Sequence, residues 1–195
     1  MSQMSTMYAA ATEHLAGIVL ALDDDQLRSK VPGSPHWSVH DVLAHLAGGP
    51  SDALTGRMDG APAPSWTAVH VAERRTTSVD DLIQEIRTNR PALQASIEDN
   101  PRPAIVWDVS VHLADLHEAL ELGRPDPSLW QPVHAAVAPY RLGERVLDVE
   151  DYELFRGLFS RRSRSQMLAW GTPLTQEELD ELPIFGPRDD DQPVP

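Results

Sequence analysis

Apolar positions recur at helical spacing over most of the chain. Leu15, Ile18, Val19 and Leu22 share one face, and with the surrounding alanines they predict a helix over residues 4–22. The acids Asp23, Asp24 and Asp25 end it, and Pro32-Gly33-Ser34-Pro35 predicts a loop. Ser38-Val39-His40-Asp41 has the form of a helix N-cap with an acid three residues on. Val42, Leu43, Leu46 and Ala47 follow as an apolar stripe, so a second helix begins at Ser38. Gly48-Gly49-Pro50 interrupts the stripe, where the helix ends, kinks or restarts toward Met58. After a Pro/Gly/Ala loop at 59–64, Ser78-Val79-Asp80-Asp81 repeats the capping signature. It opens a third helix over 78–98, with Leu82, Ile83, Ile86, Leu93 and Ile97 on its apolar face and Pro91 as a kink. A fourth helix over 104–122 carries Val109, Leu113, Leu116 and Leu120 and stops at Gly123, with Pro125 beyond.

Beyond Pro132 the pattern weakens. Residues 133–149 leave room for one or two short strands. Residues 152–170 read as a fifth helix with Leu154, Phe155, Leu158 and Phe159 on one side. A short acidic helix is expected over 176–182. The Pro/Asp tail after it belongs to a stretch, 171–195, with seven acids and one Arg, a composition expected to be partly disordered. The fold class is therefore all-α: a four-helix bundle over 1–130, and a C-terminal extension over 131–195 with one helix and an acidic, Pro-rich tail.

Composition narrows the chemistry. Thirty acids against 16 basic residues give a net charge of −14, which argues against a nucleic-acid partner. There is no Cys, so disulfides, Cys-ligated zinc and a protein thiol nucleophile are excluded, and any thiol must come from outside. The longest apolar stretch, 15–22, is too short to span a bilayer, and no basic targeting region precedes it. The expectation is a cytoplasmic protein with no membrane partner. G-x-S-x-G, Walker A and dinucleotide fingerprints are absent.

Two of the eight histidines stand out. His45 lies beside the stripe of the second helix, and His112 lies midway along the fourth. Asp108 is one turn before His112, so both side chains leave the same helix face, and Asp115 follows three residues later. A carboxylate–His pair at i, i+4 plus one His from a neighbouring helix would give a divalent ion three ligands and leave a position open for substrate. Spacing alone is a poor guide. With 30 acids in 195 positions, eight histidines should by chance find about 1.2 acids four residues upstream, and two are found. Asp41, before His45, is the better helix cap. The competing reading makes His45 and His112 core-edge histidines bonded to nearby carboxylates.

Arg156, Arg161, Arg162 and Arg164 form the one concentrated positive patch. It reads first as a solvated helix face pairing with the acidic bundle, and alternatively as a site for an anionic group on a small ligand. The five tryptophans lie near predicted helix ends, where packing is the default role. Trp37 and Trp107 could also wall a pocket.

The stretch Val31-Pro32-Gly33-Ser34-Pro35-His36-Trp37-Ser38-Val39-His40-Asp41-Val42-Leu43-Ala44-His45-Leu46-Ala47-Gly48 resembles the N-terminal signature of the mycothiol-dependent maleylpyruvate isomerase family, part of the wider DinB/YfiT-like group of metal-binding four-helix bundles. Trp107-Asp108-Val109-Ser110-Val111-His112-Leu113-Ala114-Asp115-Leu116 is similar to the family's segment of an acid, three residues, a His, two residues and an Asp. Residues 152–166 and Phe185-Gly186-Pro187 resemble C-terminal segments of its actinobacterial members. The resemblance implies a DinB-like bundle with His45, Asp108 and His112 as metal ligands and Asp115 orienting a ligand His. Arg161, Arg162 and Arg164 would contact carboxylates of cofactor or substrate. It also implies a divalent metal (zinc first, nickel or iron next) and mycothiol or a similar thiol acting on a small electrophile, in an isomerase or S-transferase. The alternative is a non-catalytic bundle that binds a ligand or regulates. Two departures stand against the resemblance: Asp108 takes the place of a Glu one methylene longer, and the chain is short between the fourth helix and Tyr152, where larger members carry an α/β portion.

Overall fold

The computed structural model describes residues 1–98, 100 and 103–195. Helix α1 (Gln3–Val19) is capped by the Ser2 side chain, which accepts from Ser5 N. A five-residue helix, α2 (Asp24–Arg28), follows. The expected loop around Pro32 is a small antiparallel hairpin of β1 (Lys30–Val31) and β2 (Ser34–Ser38), with Lys30 opposite Ser38 and Val31 opposite Ser34.

Helix α3 (Val39–Thr55) starts on the capping box read from the sequence. Ser38 accepts from Asp41 N, and Asp41 reaches back to Ser38 N. It runs through Pro50 rather than stopping there, and ends at Gly56 in the left-handed region, φ 76°. Helix α4 (Pro64–Arg74) had no counterpart in the sequence pattern. Proline in its first turn suits its start, but His70 is its one buried residue, so no apolar stripe announces it. Helix α5 (Val79–Glu98) runs through Pro91, and α6 (Ala104–Ala119) covers the expected fourth helix. Asp99, Pro101 and Arg102, between the expected third and fourth helices, lie outside the described residues.

The four long helices close a ring: α1 packs on α5 and α6, and α3 packs on the same two. Leu15, Leu43, Leu82, Ile86, Leu113 and Leu116 meet inside it with at most 1% exposure. Each such side chain contributes roughly 1.5–3 kcal/mol.

The C-terminal part departs furthest from expectation. Residues 133–149 hold no strand; they are largely α7 (Gln131–Leu142), which buries only Val133, Val137 and Ala138 and contains Pro139. So short a stripe, broken by proline, gives little periodic signal. The single helix expected over 152–170 is two, α8 (Asp151–Leu158) and α9 (Arg164–Leu168), parted where Ser160 adopts φ 62°. The acidic helix is α10 (Gln176–Asp180). The tail beyond it folds back. Ile184 N donates to Leu158 O at 2.8 Å, Arg188 donates to the carbonyls of Ser160, Gly33 and Pro32, and the Ser163 hydroxyl donates to Asp191 at 2.5 Å. No described helix is long and apolar enough to cross a membrane.

Candidate metal centre

Helix α3 presents His45, and α6 presents Asp108 and His112 one turn apart. His45 Nε2 lies 3.0 Å from Asp108 Oδ2, and His112 Nε2 lies 3.6 Å from Asp108 Oδ1. Each residue offers one ligating atom, and the three atoms lie within 4.8 Å of one another. Both imidazoles are buried, whereas the Asp108 side chain is 32% exposed, so the cluster opens to solvent at its carboxylate. Burial disfavours the Asp108 carboxylate. The imidazoles of His45 and His112 and the Arg161 guanidinium outweigh it and hold the carboxyl at about 2.

Each imidazole is gripped from behind. His112 Nδ1 lies 2.9 Å from Asp115 Oδ2, and since a carboxylate only accepts, Nδ1 donates and Nε2 is the ring atom turned toward the cluster. Asp115 is fully buried. Arg156 donates to its Oδ1 at 2.6 Å and Arg161 to its Oδ2 at 2.9 Å. Burial would raise its pKa, but Arg161, Arg156 and His112 pull it well below the usual carboxylate range. Behind His45, Nδ1 meets His70 Nδ1 at 3.0 Å, and His70 Nε2 meets Asp52 Oδ2 at 3.0 Å.

Rings and a glycine shape the surroundings. Trp37 packs against both ligand candidates, with ring centroids 5.0 Å from His45 and 5.6 Å from His112. Trp66 meets His70 edge-on at 4.3 Å and His45 at 6.2 Å. Trp107, the other candidate wall, instead meets Phe159 at 6.4 Å. Gly48 sits under His70, where a Cβ would fall 2.6 Å from the His70 side chain. Only glycine at 48 lets α4 bring its histidine this close to α3.

The arginine cluster is not the solvated face expected of it. Arg156, Arg161 and Arg162 are buried against Asp115, Glu118 and Glu153, three guanidiniums facing three carboxylates. The interior offers apolar burial to the stems and full pairing to the heads, which a sequence pattern cannot distinguish from an exposed basic stripe. Arg164 pairs with Asp180 and Asp189. His70 and Asp52 are the members of the cluster that sequence reasoning did not single out. The available signal was Trp66 and His70 at i, i+4 behind Pro64.

A four-helix bundle that converges two imidazoles and a carboxylate on one point, each imidazole held from behind, belongs to the class of bundles with an interior polar site. The sequence places it more closely. Residues 8–124, more than half of the chain, match the model of the mycothiol maleylpyruvate isomerase N-terminal domain, and the chain belongs to that family. No curated protein and no solved structure matches the chain.

Proposed function

We propose that the protein is a metal-dependent enzyme that uses an external low-molecular-weight thiol, of the mycothiol type, on a small electrophilic substrate, as an isomerase or an S-transferase. One observation carries this reading: His45 Nε2, His112 Nε2 and the Asp108 carboxylate face one another within 4.8 Å, with the carboxylate side open. The donor set fits a divalent ion. Two imidazoles and a carboxylate suit zinc, and also nickel or iron, and three protein ligands leave a position for an incoming group. The tautomer that Asp115 imposes on His112 is the one ligation requires. A bound divalent ion would supply the positive charge that lowers the pKa of a thiol and holds it as thiolate. Since the chain has no Cys, that thiol is an external one.

The chain's own residues supply the rest. His45, Asp108 and His112 hold the ion, and Asp115 fixes the His112 ring. Trp37 packs against both rings and forms one flank of the site. Arg161 adds positive potential at Asp108. Arg162 and Arg164 are engaged by Glu118 and Glu153 and by Asp180 and Asp189, so contact with an anionic ligand would require those pairs to open.

The test is metal content by mass spectrometry on untagged protein, wild type beside His45→Ala and His112→Ala, followed by calorimetric titration with a small thiol. Near-stoichiometric metal lost in both variants, and thiol affinity that depends on the metal, are expected. Wild type that takes up no metal from excess zinc, nickel or iron would overturn the reading. Metal without thiol affinity would leave a non-catalytic bundle.

A further inference from the structure

We infer that Asp52 and His70 are positioning residues that fix the proton of His45 on Nδ1 and so free Nε2 for the metal, an inference that rests on the function proposed above. The argument runs from the far end inward. Asp52 is buried at 2% exposure, and its Oδ2 lies 3.0 Å from His70 Nε2. A carboxylate has no proton to give at neutral pH, so His70 Nε2 is the donor. His70 is fully buried, and its other nitrogen faces His45 Nδ1 at 3.0 Å. Only one proton fits between two nitrogens at that distance. If it sat on His70, the His45 Nδ1 would be the acceptor and the His45 proton would lie on Nε2, where a ligand needs its lone pair. With the proton on His45 Nδ1, Asp52 accepts and neutral His70 donates once and accepts once; His45 Nε2 then faces Asp108 Oδ2 at 3.0 Å through a hydrogen bond that a bound ion would replace, taking the Nε2 lone pair.

The local sequence is built around this contact. Helix α4 buries one residue, and that residue is His70. Gly48 on α3 makes room for its ring. Trp66, one turn earlier on α4, packs edge-on against both His70 and His45 and restrains the two rings. Arg57 Nε approaches the other oxygen of Asp52, Oδ1, at 3.5 Å, placing a cation beside the accepting carboxylate. The two ligand histidines are thus held by separate devices, His112 by a carboxylate directly and His45 by a carboxylate acting through a second imidazole. Partners of this kind are worth about 10–100-fold in metal affinity.

The test compares zinc affinity in the full chain for wild type, His70→Asn and His70→Leu. Asn can place an amide oxygen near the position of the imidazole Nδ1 and keep an acceptor for His45; Leu has similar bulk and no acceptor. Zinc affinity is expected to fall 10–100-fold in His70→Leu and to stay within about threefold of wild type in His70→Asn. Metal-free thermal stability should also fall in His70→Leu, since Leu leaves the buried Asp52 carboxylate and the His45 Nδ1–H without their imidazole partner, so zinc affinity is compared at a temperature where both variants are folded. Nitrogen-15 spectra of the zinc-loaded wild type should show His70 as the neutral Nε2–H tautomer. Equal zinc affinity in His70→Leu and wild type would overturn the inference. So would a loss shared equally by both variants and tracking their stability, or a His70 protonated at Nδ1. Wild type that takes up no zinc, nickel or iron removes the proposed function, whereas wild type that binds zinc with an affinity unchanged in His70→Leu removes this inference alone.

Discussion

Gly33 lies against Asp115 so closely that a Cβ on it would fall 2.4 Å from Oδ1 and 2.8 Å from Cγ. The hairpin tip therefore seals the carboxylate that orients His112. Gly33→Ala must move either the hairpin or Asp115, and Asp115 is held by two arginines. The expected cost is about 1–3 kcal/mol, the usual range for forcing atoms into a packed site. Urea denaturation measures it, and an unchanged midpoint would contradict the close approach.

Asp115→Asn should cost about 3–5 kcal/mol near neutral pH, because it leaves Arg156 and Arg161 short of a buried counter-charge. The pH dependence has a definite sign. The folded-state pKa of Asp115 lies well below 3.8, so below about pH 4 the unfolded chain binds the proton first. The stability that Asp115 provides is complete above that range and drains away as pH falls toward the folded value. The gap between wild type and Asp115→Asn should accordingly narrow between pH 5 and pH 3 in a series of denaturation curves. A gap constant with pH would refute the charge-based account.

Zinc should stabilise the folded chain. An ion present at about 100 times its dissociation constant adds roughly 2.7 kcal/mol. A thermal scan with zinc should show a higher Tm than one with chelator, and the difference should vanish in His112→Ala.

Trp37 offers an optical handle. Its ring lies 5.0 Å from His45 and 5.6 Å from His112, near enough for a paramagnetic ion between them to quench it. Cobalt(II) or nickel(II) should reduce intrinsic fluorescence saturably, and Trp37→Phe should remove most of the change. Quenching of equal size in the variant would place the ion elsewhere.

The long helices were legible because their signals are local. Ser38 and Asp41 form the capping box that their spacing predicts, and Leu82, Ile83 and Ile86 bury the face they define. The convergence of His45 with Asp108 and His112 came from resemblance, since i, i+4 spacing is common by chance. What stayed hidden depends on distant partners. Helix α4 carries one buried residue and no stripe. The arginines of α8 and the turn after it look like a soluble face until Glu118 and Asp115, some forty residues earlier, are brought beside them. Ser160 breaks the expected fifth helix with a backbone angle that its neighbours in sequence do not advertise.

Asp115 and Glu118 fall within the stretch that matches the family, whereas Arg156, Arg161 and Arg162, which neutralise them, fall after it. A boundary drawn by similarity and a boundary for autonomous folding therefore do not coincide in this chain. Cut at residue 124, the fragment would keep its apolar ring of helices but strand two interior acids, each without its counter-ion. In a graft of this segment onto another protein, the three arginines would have to travel with it.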